Sequence, residues 1–202
     1  RLDDFLRCND AIVIATPTPQ HWRNILDCAE LGKPMLIEKP ITHPDQKTLD
    51  LVVSALGMSG VPAFMGFNLR FHPLVQKAKK LINKPWWGWF EVLQKCERPE
   101  YLRDGVISNW MSHEIDLALH LFGPGTLGIC EVDDKDTEAK ISIRHIDGPV
   151  SCICGDYTTH PQVRKFKLKD DGIEMVFDLA WYDNFDQTYV DELSSWIDQI
   201  QG

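Results

Sequence analysis

The sequence contains no apolar run close to the length of about 20 residues that crosses a bilayer, so a membrane-spanning protein is not expected. Its opening residues include no apolar segment of the kind that directs secretion. Basic residues are in the minority, 21 against 30 acidic ones, and the net charge of -9 disfavours nucleic acids and anionic membranes as partners. Repeats and low-complexity segments are also missing. We therefore expect a cytoplasmic globular protein of one large or two small domains.

The cysteines form no CxxC pair, although the 202-residue chain contains six of them. They are Cys8, Cys28, Cys96, Cys130, Cys152 and Cys154. Without a secretion signal, this scatter is typical of reduced thiols in a cytosolic protein. Cys152 and Cys154 alternate and would share one face of a strand, but two soft ligands are too few for a zinc site. We expect them to serve packing, and no metal site is predicted.

The first third of the chain alternates strand and helix patterns. Residues 11–16, 34–37 and 61–67 are short apolar runs of the kind that is buried on both faces of a parallel sheet. Between them, residues 20–31 and 42–56 carry apolar side chains at helical spacing. This β-α-β-α-β order with short connections predicts parallel strands joined by right-handed crossovers.

Parallel strands end at one common edge, and open α/β sheets bind their ligands outside that edge. The residues that follow the three predicted strands are Thr16 and Pro17, then Glu38 and Lys39, then Asn68 and Arg70. The pattern predicts a ligand site lined by these residues.

After residue 70 the pattern changes. Residues 73–82 and 109–122 are helix-like, and the remaining apolar runs alternate as strands do, often with Gly-containing turns between them. The predicted strands are 86–94, 127–132, 138–146, 149–158, 162–169 and 173–179. We predict a mainly antiparallel sheet with helices packed on it, and a domain boundary near residue 70.

Two groups of residues in these elements are candidates for chemistry. Lys39 ends a strand and is restricted by Pro40, so it could polarise a substrate oxygen; alternatively, Glu38 and Lys39 merely solvate the strand end. His113, Asp116 and His120 fall at i, i+3 and i+7 on one helical face, where a histidine beside a carboxylate suits acid–base chemistry. A structural His113–Asp116 pair and a metal site are the alternatives.

Three tryptophans, Trp86, Trp87 and Trp89, lie close together in the predicted strand 86–94. They suit either sugar stacking or packing in a core or subunit interface.

Four motifs together make the sequence similar to a known family. ATPTPQHW (15–22), GKPMLIEKPI (32–41), GFNLRFHP (66–73) and SHEIDLALHLFG (112–123) occur in the order and spacing of the glucose–fructose oxidoreductase/inositol dehydrogenase (Gfo/Idh/MocA) family. The resemblance implies a Rossmann domain followed by an α+β domain whose open sheet often forms subunit contacts. It also implies hydride transfer between NAD or NADP and a hydroxyl carbon of a sugar, sugar derivative or polyol.

The resemblance implies roles for individual residues as well. Lys39 would lie at the reacting carbon and the nicotinamide, His113 would be the acid/base, and Glu38 would lie beside the nicotinamide ribose. The segment of Thr16, Pro17 and His21 would line the cofactor. Beside these implied roles, we expect Asn68 at the cofactor, Arg70, Asn109 and Asp116 at the substrate, and Asn109 also in the catalytic set with Lys39 and His113.

Two departures from the family pattern qualify these expectations. Asn109 stands where the family usually has an aspartate, four residues before the histidine, and an amide cannot supply that negative charge. The Gly-rich GxGxxG turn is absent. We therefore expect residues 1–70 to be the C-terminal half of a Rossmann domain and 71–202 a substrate-binding and oligomerisation domain lacking its last helical segment. On this expectation the chain is a fragment, inactive alone; the alternative is a non-catalytic binding or assembly module.

Overall fold

The computed structural model describes residues 2–43, 45–82, 84–95, 105–158, 161–179 and 185–201. The chain folds into two compact units, residues 1–67 with 190–202 and residues 68–189. Pro44, expected in the first turn of a helix, and Cys96, expected to be a reduced thiol, lie outside the described residues.

The first unit is built around a parallel sheet of three strands in the order β1-β2-β3. Its helices and strands are α1 (Leu2–Cys8), β1 (Ile12–Ile14), α2 (Thr18–Glu30), β2 (Met35–Glu38), α3 (Gln46–Ser59) and β3 (Ala63–Gly66). Apolar side chains such as Ile14, Ile25 and Ile37 form its core. The predicted β-α-β-α-β order and the parallel pairing are confirmed.

Two details of this unit differ from the predictions. Val13 of β1 is 49% exposed, so this strand is not buried on both faces; it lies at the edge of the three-stranded sheet, and its burial alternates. Helix α3 begins four residues later than predicted, because Asp45 accepts a hydrogen bond from the Thr48 amide (3.0 Å) and caps the helix there. Val53, predicted on its apolar stripe, is exposed.

The second unit contains a six-stranded sheet in the order β5-β6-β7-β4-β8-β9. Its strands are β4 (Trp87–Leu93), β5 (Gly125–Val132), β6 (Glu138–His145), β7 (Val150–Asp156), β8 (Val163–Asp170) and β9 (Ile173–Asp178). All neighbours pair antiparallel except β4 and β7, which are parallel. The predicted α/β class, with a parallel sheet followed by a mainly antiparallel one, is confirmed.

One face of this sheet packs on helices and the other is open. Helices α4 (Pro73–Leu81) and α5 (Ser112–Phe122) contribute to a core with the inward side chains of β4 such as Phe90. Trp87, Trp89 and Glu91 alternate to the other face and are half-buried. A last helix, α6 (Asp186–Gln201), passes from the second unit into the first at Val190.

Among the described residues, no helix combines the length and hydropathy needed to span a membrane.

Candidate active site

Polar side chains of the first unit follow the carboxyl ends of its parallel strands. Strand β2 pairs in register with β1 and β3, so the three strands end at one edge. Thr16 follows β1 by two residues, Glu38 is the last residue of β2, and Lys39 comes next. The sequence therefore gathers a hydroxyl, a carboxylate and an amine at the edge where open α/β sheets bind ligands.

The turn after β2 is held in place by a buried histidine. His21 of α2 is 2% exposed, and its Nδ1 lies 2.8 Å from the carbonyl oxygen of Pro40. Its Nε2 lies 2.6 Å from the carbonyl oxygen of Thr16. The imidazole thus links the loop after β1 to the loop after β2. Both nitrogens of His21, predicted at the cofactor, face the backbone of its own unit.

Glu38 and Lys39 are adjacent in the chain but have different surroundings. Glu38 is paired in register with Gly66 of β3, and a methyl group added at Gly66 would lie 3.3 Å from the Glu38 carboxyl carbon. The glycine therefore leaves the space that the Glu38 side chain occupies. Lys39 is half-buried and precedes Pro40 through a cis peptide bond.

Thr16 carries a second contact. Its hydroxyl accepts a hydrogen bond from the Asn24 side chain (2.9 Å) on the exposed part of α2. Pro17 occupies the position that precedes α2. Both therefore lie between β1 and the first turn of α2, as the sequence predicts.

In the second unit, His113 lies in the first turn of α5 and is buried. The residues before it, Ile107–Met111, form a π-helical turn that includes Asn109. From their residue types, Asn109 or Ser112 would be expected to cap the predicted helix 109–122. Neither does, because Val106 and Met111 already have helical backbone angles and the helical path enters α5 from upstream. π-Helical turns often mark functional sites, because the wider turn changes the direction of the side chains it carries.

Asp116, one turn after His113, is engaged by Arg70 rather than by His113. Arg70 Nε donates to Asp116 Oδ2 at 2.7 Å, and Nη2 donates to Oδ1. Burial raises the pKa of the Asp116 carboxyl, and the Arg70 guanidinium only partly opposes this. These two residues, both predicted at the substrate, therefore bind each other, and the structural His113–Asp116 pair considered from the sequence does not form.

His120, two turns after His113, lies beside a cation. Its Nε2 is 3.3 Å from Lys79 Nζ. Burial, with Lys79 and Arg70 nearby, lowers the pKa of His120 to about 4. Two cations beside this face make it a poor place for a further metal cation. Within the part of the chain that the structure describes, no group of three or more His, Cys, Asp or Glu side chains is arranged to hold a metal.

Asn68, predicted at the cofactor, belongs to the second unit and is buried. Its amide donates to the Thr188 hydroxyl at 2.9 Å, which ties the segment after β3 to the first turn of α6. The structure therefore shows a packing contact for Asn68. Thr16, Pro17, His21, Glu38 and Lys39 are brought together in the first unit, and Arg70 and Asp116 in the second.

A buried ion pair that no sequence pattern predicted lies beside His113. Glu114 of α5 is almost fully buried, and its Oε1 lies 2.9 Å from Arg164 Nε of β8. The pair fixes α5 to the sheet at the residue next to His113. A glutamate inside an apolar helix pattern was the available signal, but its partner lies 50 positions further along the chain.

Comparison with known proteins adds to this geometry. No family model matches the sequence. The chain is 31% identical to inositol 2-dehydrogenase of Rhodococcus erythropolis over 165 aligned residues. These residues are 72% of the chain and 48% of the relative. The chain spans less than half the length of the first curated relatives it matches.

Two solved structures show the same fold. UDP-N-acetylglucosamine 3-dehydrogenase GnnA from Acidithiobacillus ferrooxidans matches 100% of this chain with 72% of its own, at a TM-score of 0.79 and 23% identity. Levoglucosan dehydrogenase in complex with NADH and L-sorbose matches 83% of this chain with 53% of its own, at a TM-score of 0.73 and 20% identity. At these identities the likeness shows the fold.

Proposed function

Because the chain belongs to the Gfo/Idh/MocA family, we propose that the whole protein is an NAD(P)-dependent oxidoreductase. It would transfer a hydride between the nicotinamide and a hydroxyl carbon of a sugar, sugar derivative or polyol. The observation that carries the proposal is the edge of the parallel sheet, where Thr16, Glu38 and Lys39 follow two neighbouring strands. Relatives that act on inositol, and a structural neighbour solved with NADH and L-sorbose, support the same class of cofactor and substrate.

Each residue would have a separate task. The Lys39 ammonium would donate to the reacting oxygen and stabilise negative charge as the hydride leaves or arrives. His113 would take up or release the hydroxyl proton, since an imidazole exchanges protons near neutral pH. The Glu38 carboxylate would accept hydrogen bonds from the nicotinamide ribose, and the Thr16–Pro17 segment would line the cofactor. Asn109 would offer His113 a hydrogen-bonding amide in place of a charge.

The direct experiment uses the whole protein with NAD+ or NADP+ and a panel of inositols, aldoses and amino sugars. We expect reduced cofactor to appear with at least one polyol or sugar, and His113→Gln to lower kcat and flatten its pH profile near neutrality. Cofactor binding without turnover on any panel member would leave the redox proposal without support. An unchanged pH profile in His113→Gln would move the proton transfer to another group.

A second candidate is a non-catalytic binding or assembly module. It is favoured by Asn109, an uncharged residue at the position where the family usually has an aspartate. The module proposal predicts that the whole protein binds neither NAD(H) nor NADP(H) at micromolar concentration. Micromolar binding of either cofactor would contradict it.

We further propose that the protein forms a homo-oligomer through the open face of its six-stranded sheet. A concave region of about 460 Å³ on this face is lined by acidic side chains including Glu91, Glu131 and Glu138. On the neighbouring strand β8, Lys165, Lys167 and Lys169 alternate, and within the chain Lys165 pairs with Glu91 (2.8 Å) and Lys169 with Glu174 (2.9 Å). A two-fold pairing of two copies could bring the acidic region of one over the lysine row of the other.

Charge reversal tests this interface. We expect Lys167→Glu to shift the sedimentation coefficient towards the monomer, while Lys80→Glu, an exposed change on α4, leaves it unchanged. A monomeric wild-type protein would contradict the proposal.

As regards location, we propose the cytoplasm, since the described cysteines are all free thiols.

A further inference from the structure

The chemistry of the two partners of His21 fixes what the imidazole must do. Nδ1 faces the Pro40 carbonyl oxygen at 2.8 Å, and Nε2 faces the Thr16 carbonyl oxygen at 2.6 Å. A carbonyl oxygen can only accept a hydrogen bond. An imidazole N–H therefore donates to one of these carbonyls, and the ring lies directly between the two backbone segments.

A second buried histidine shows the contrast. His145 has its Nδ1 2.7 Å from the Gly123 carbonyl oxygen and its Nε2 2.9 Å from the Ser151 hydroxyl. A hydroxyl can donate as well as accept, so the tautomer of His145 with a proton on Nδ1 meets both partners. His145 is as buried as His21, which makes it a matched reference within the same molecule.

His21 lies between the loops that follow β1 and β2, so its hydrogen bonds affect both loops. Thr16 follows β1, and Pro40 follows Lys39 at the end of β2. These loops leave neighbouring strands of one sheet, and the imidazole is a direct bridge between their backbones. A bridge anchored on α2 and donating to the residue after Lys39 restricts the backbone from which the Lys39 side chain extends.

We propose that His21 is a positioning residue: its ring bridges the carbonyl oxygens of Thr16 and Pro40 and so fixes the turn that carries Lys39. It does not contact the cofactor through its ring nitrogens, which differs from the role that the family resemblance implies. The value of a fixed Lys39 for catalysis rests on the proposed function, whereas the bridge does not.

The first test is spectroscopic and uses the wild-type chain. In ¹⁵N-resolved NMR of the histidine rings, we expect the His21 ring N–H proton to be observed and to exchange slowly with water, because it is buried and hydrogen-bonded to a backbone carbonyl. The equally buried His145 ring provides the reference. A His21 ring proton that exchanges with water as fast as that of an exposed histidine would overturn the proposal, whatever the protein's activity.

The second test asks whether the bridge holds the turn. In hydrogen–deuterium exchange, His21→Gln is expected to accelerate exchange of the amides of residue 39 and residues 41–43, and to leave strand β6 of the other unit protected. Asn24→Ala is the matched control, because Asn24 donates to the Thr16 side chain and not to the Thr16 or Pro40 carbonyl among the hydrogen bonds of the described residues. Equal exchange at residues 39–43 in wild type and His21→Gln would contradict the positioning role.

Activity separates this proposal from the proposed function. If the whole protein is an oxidoreductase, His21→Gln should lower kcat more than it raises the KM for the cofactor, because no cofactor contact is lost. A rise in KM alone would contradict the proposal and restore a cofactor contact. If the whole protein shows no redox activity, the NMR and exchange results still decide the bridge.

Discussion

Arg70 and Asp116, 46 positions apart in the sequence, form a two-point ion pair in which the carboxylate is buried and the arginine is partly exposed. The pair joins the 3₁₀ turn after β3, Asn68–Phe71, to the middle of α5. It lies one helical turn from His113. A planar guanidinium holding both carboxylate oxygens fixes orientation as well as distance.

Removing Arg70 should leave a buried carboxylate without its counter-ion. We expect Arg70→Met to destabilise the protein by about 1–3 kcal/mol at neutral pH, less than for a fully buried pair because the arginine is partly exposed. Burial already raises the pKa of Asp116, and the variant should raise that pKa further. The variant should therefore regain stability as the pH falls and Asp116 takes up a proton.

Urea denaturation at several pH values measures this effect. The double variant Arg70→Met/Asp116→Asn is the control, since it removes the charge and should lose most of the pH dependence of the single variant. If Arg70→Met is as stable as wild type at neutral pH, the ion pair does not stabilise the unit.

Two ion pairs of strand β8 should differ in strength because they differ in burial. Arg164 pairs with the buried Glu114, whereas Lys169 pairs with the exposed Glu174 at 2.9 Å. We expect Arg164→Met to cost about 3 kcal/mol, because Glu114 keeps its burial and loses a partner. Lys169→Met should cost less than about 1 kcal/mol. Chemical denaturation of both variants checks this; equal losses would contradict the assigned burial.

His120 should make stability depend on pH in a defined window. Its pKa is lowered from 6.5 to about 4 in the folded protein, so the unfolded chain binds a proton at a higher pH than the folded chain does. The stability that His120 contributes is therefore fully present above the pKa that His120 has in the unfolded chain. It is lost as the pH falls through the pKa that His120 has in the folded protein. Since His120 is only half-buried, the effect should be on the order of 1 kcal/mol.

The measurement is the free energy of unfolding of wild type and His120→Gln between these two pH values. We expect the variant to lose less stability than wild type as the pH falls. Parallel curves would show that His120 keeps its ordinary titration in the fold.

Two glycines should respond in opposite directions to the same substitution. An alanine methyl at Gly88 of β4 would lie 2.7 Å from ring atoms of Phe122, so Gly88→Ala should destabilise by about 1–3 kcal/mol. Gly57 lies inside α3 with nothing within 4 Å of an added methyl, so Gly57→Ala should stabilise by about 0.5–1 kcal/mol. Thermal unfolding of both variants reports the sign. Stabilisation by Gly88→Ala would contradict the packing of α5 on this strand.

Local patterns predicted the strands and helices because side-chain periodicity is a local property. The alternation of Trp87, Gly88, Trp89 and Phe90 is enough to assign two faces to β4, and the structure buries Gly88 and Phe90 as alternation requires. The start of α3 was harder, because Thr42 and Asp45 are both acceptable caps and only the fold decides between them.

The contacts around the candidate site could not be read from the sequence. Arg70 was predicted at the substrate because it follows a strand, and that pattern does not reveal its contact with Asp116 on a helix 46 positions away. His21 was predicted at the cofactor from its motif, and the motif does not reveal that its buried ring reaches the Thr16 and Pro40 carbonyls. Such pairings depend on where separate elements pack, which no local pattern encodes.

The most direct test of the proposed function is the turnover of the whole protein with Lys39→Met, measured at saturating sugar or polyol and cofactor. We expect kcat to fall by about 10²-fold or more, because the donor to the reacting oxygen is lost. Lys47→Met, an exposed change on α3, is the control and should keep wild-type turnover. Near-full kcat in Lys39→Met would contradict the role of Lys39 at the reacting carbon.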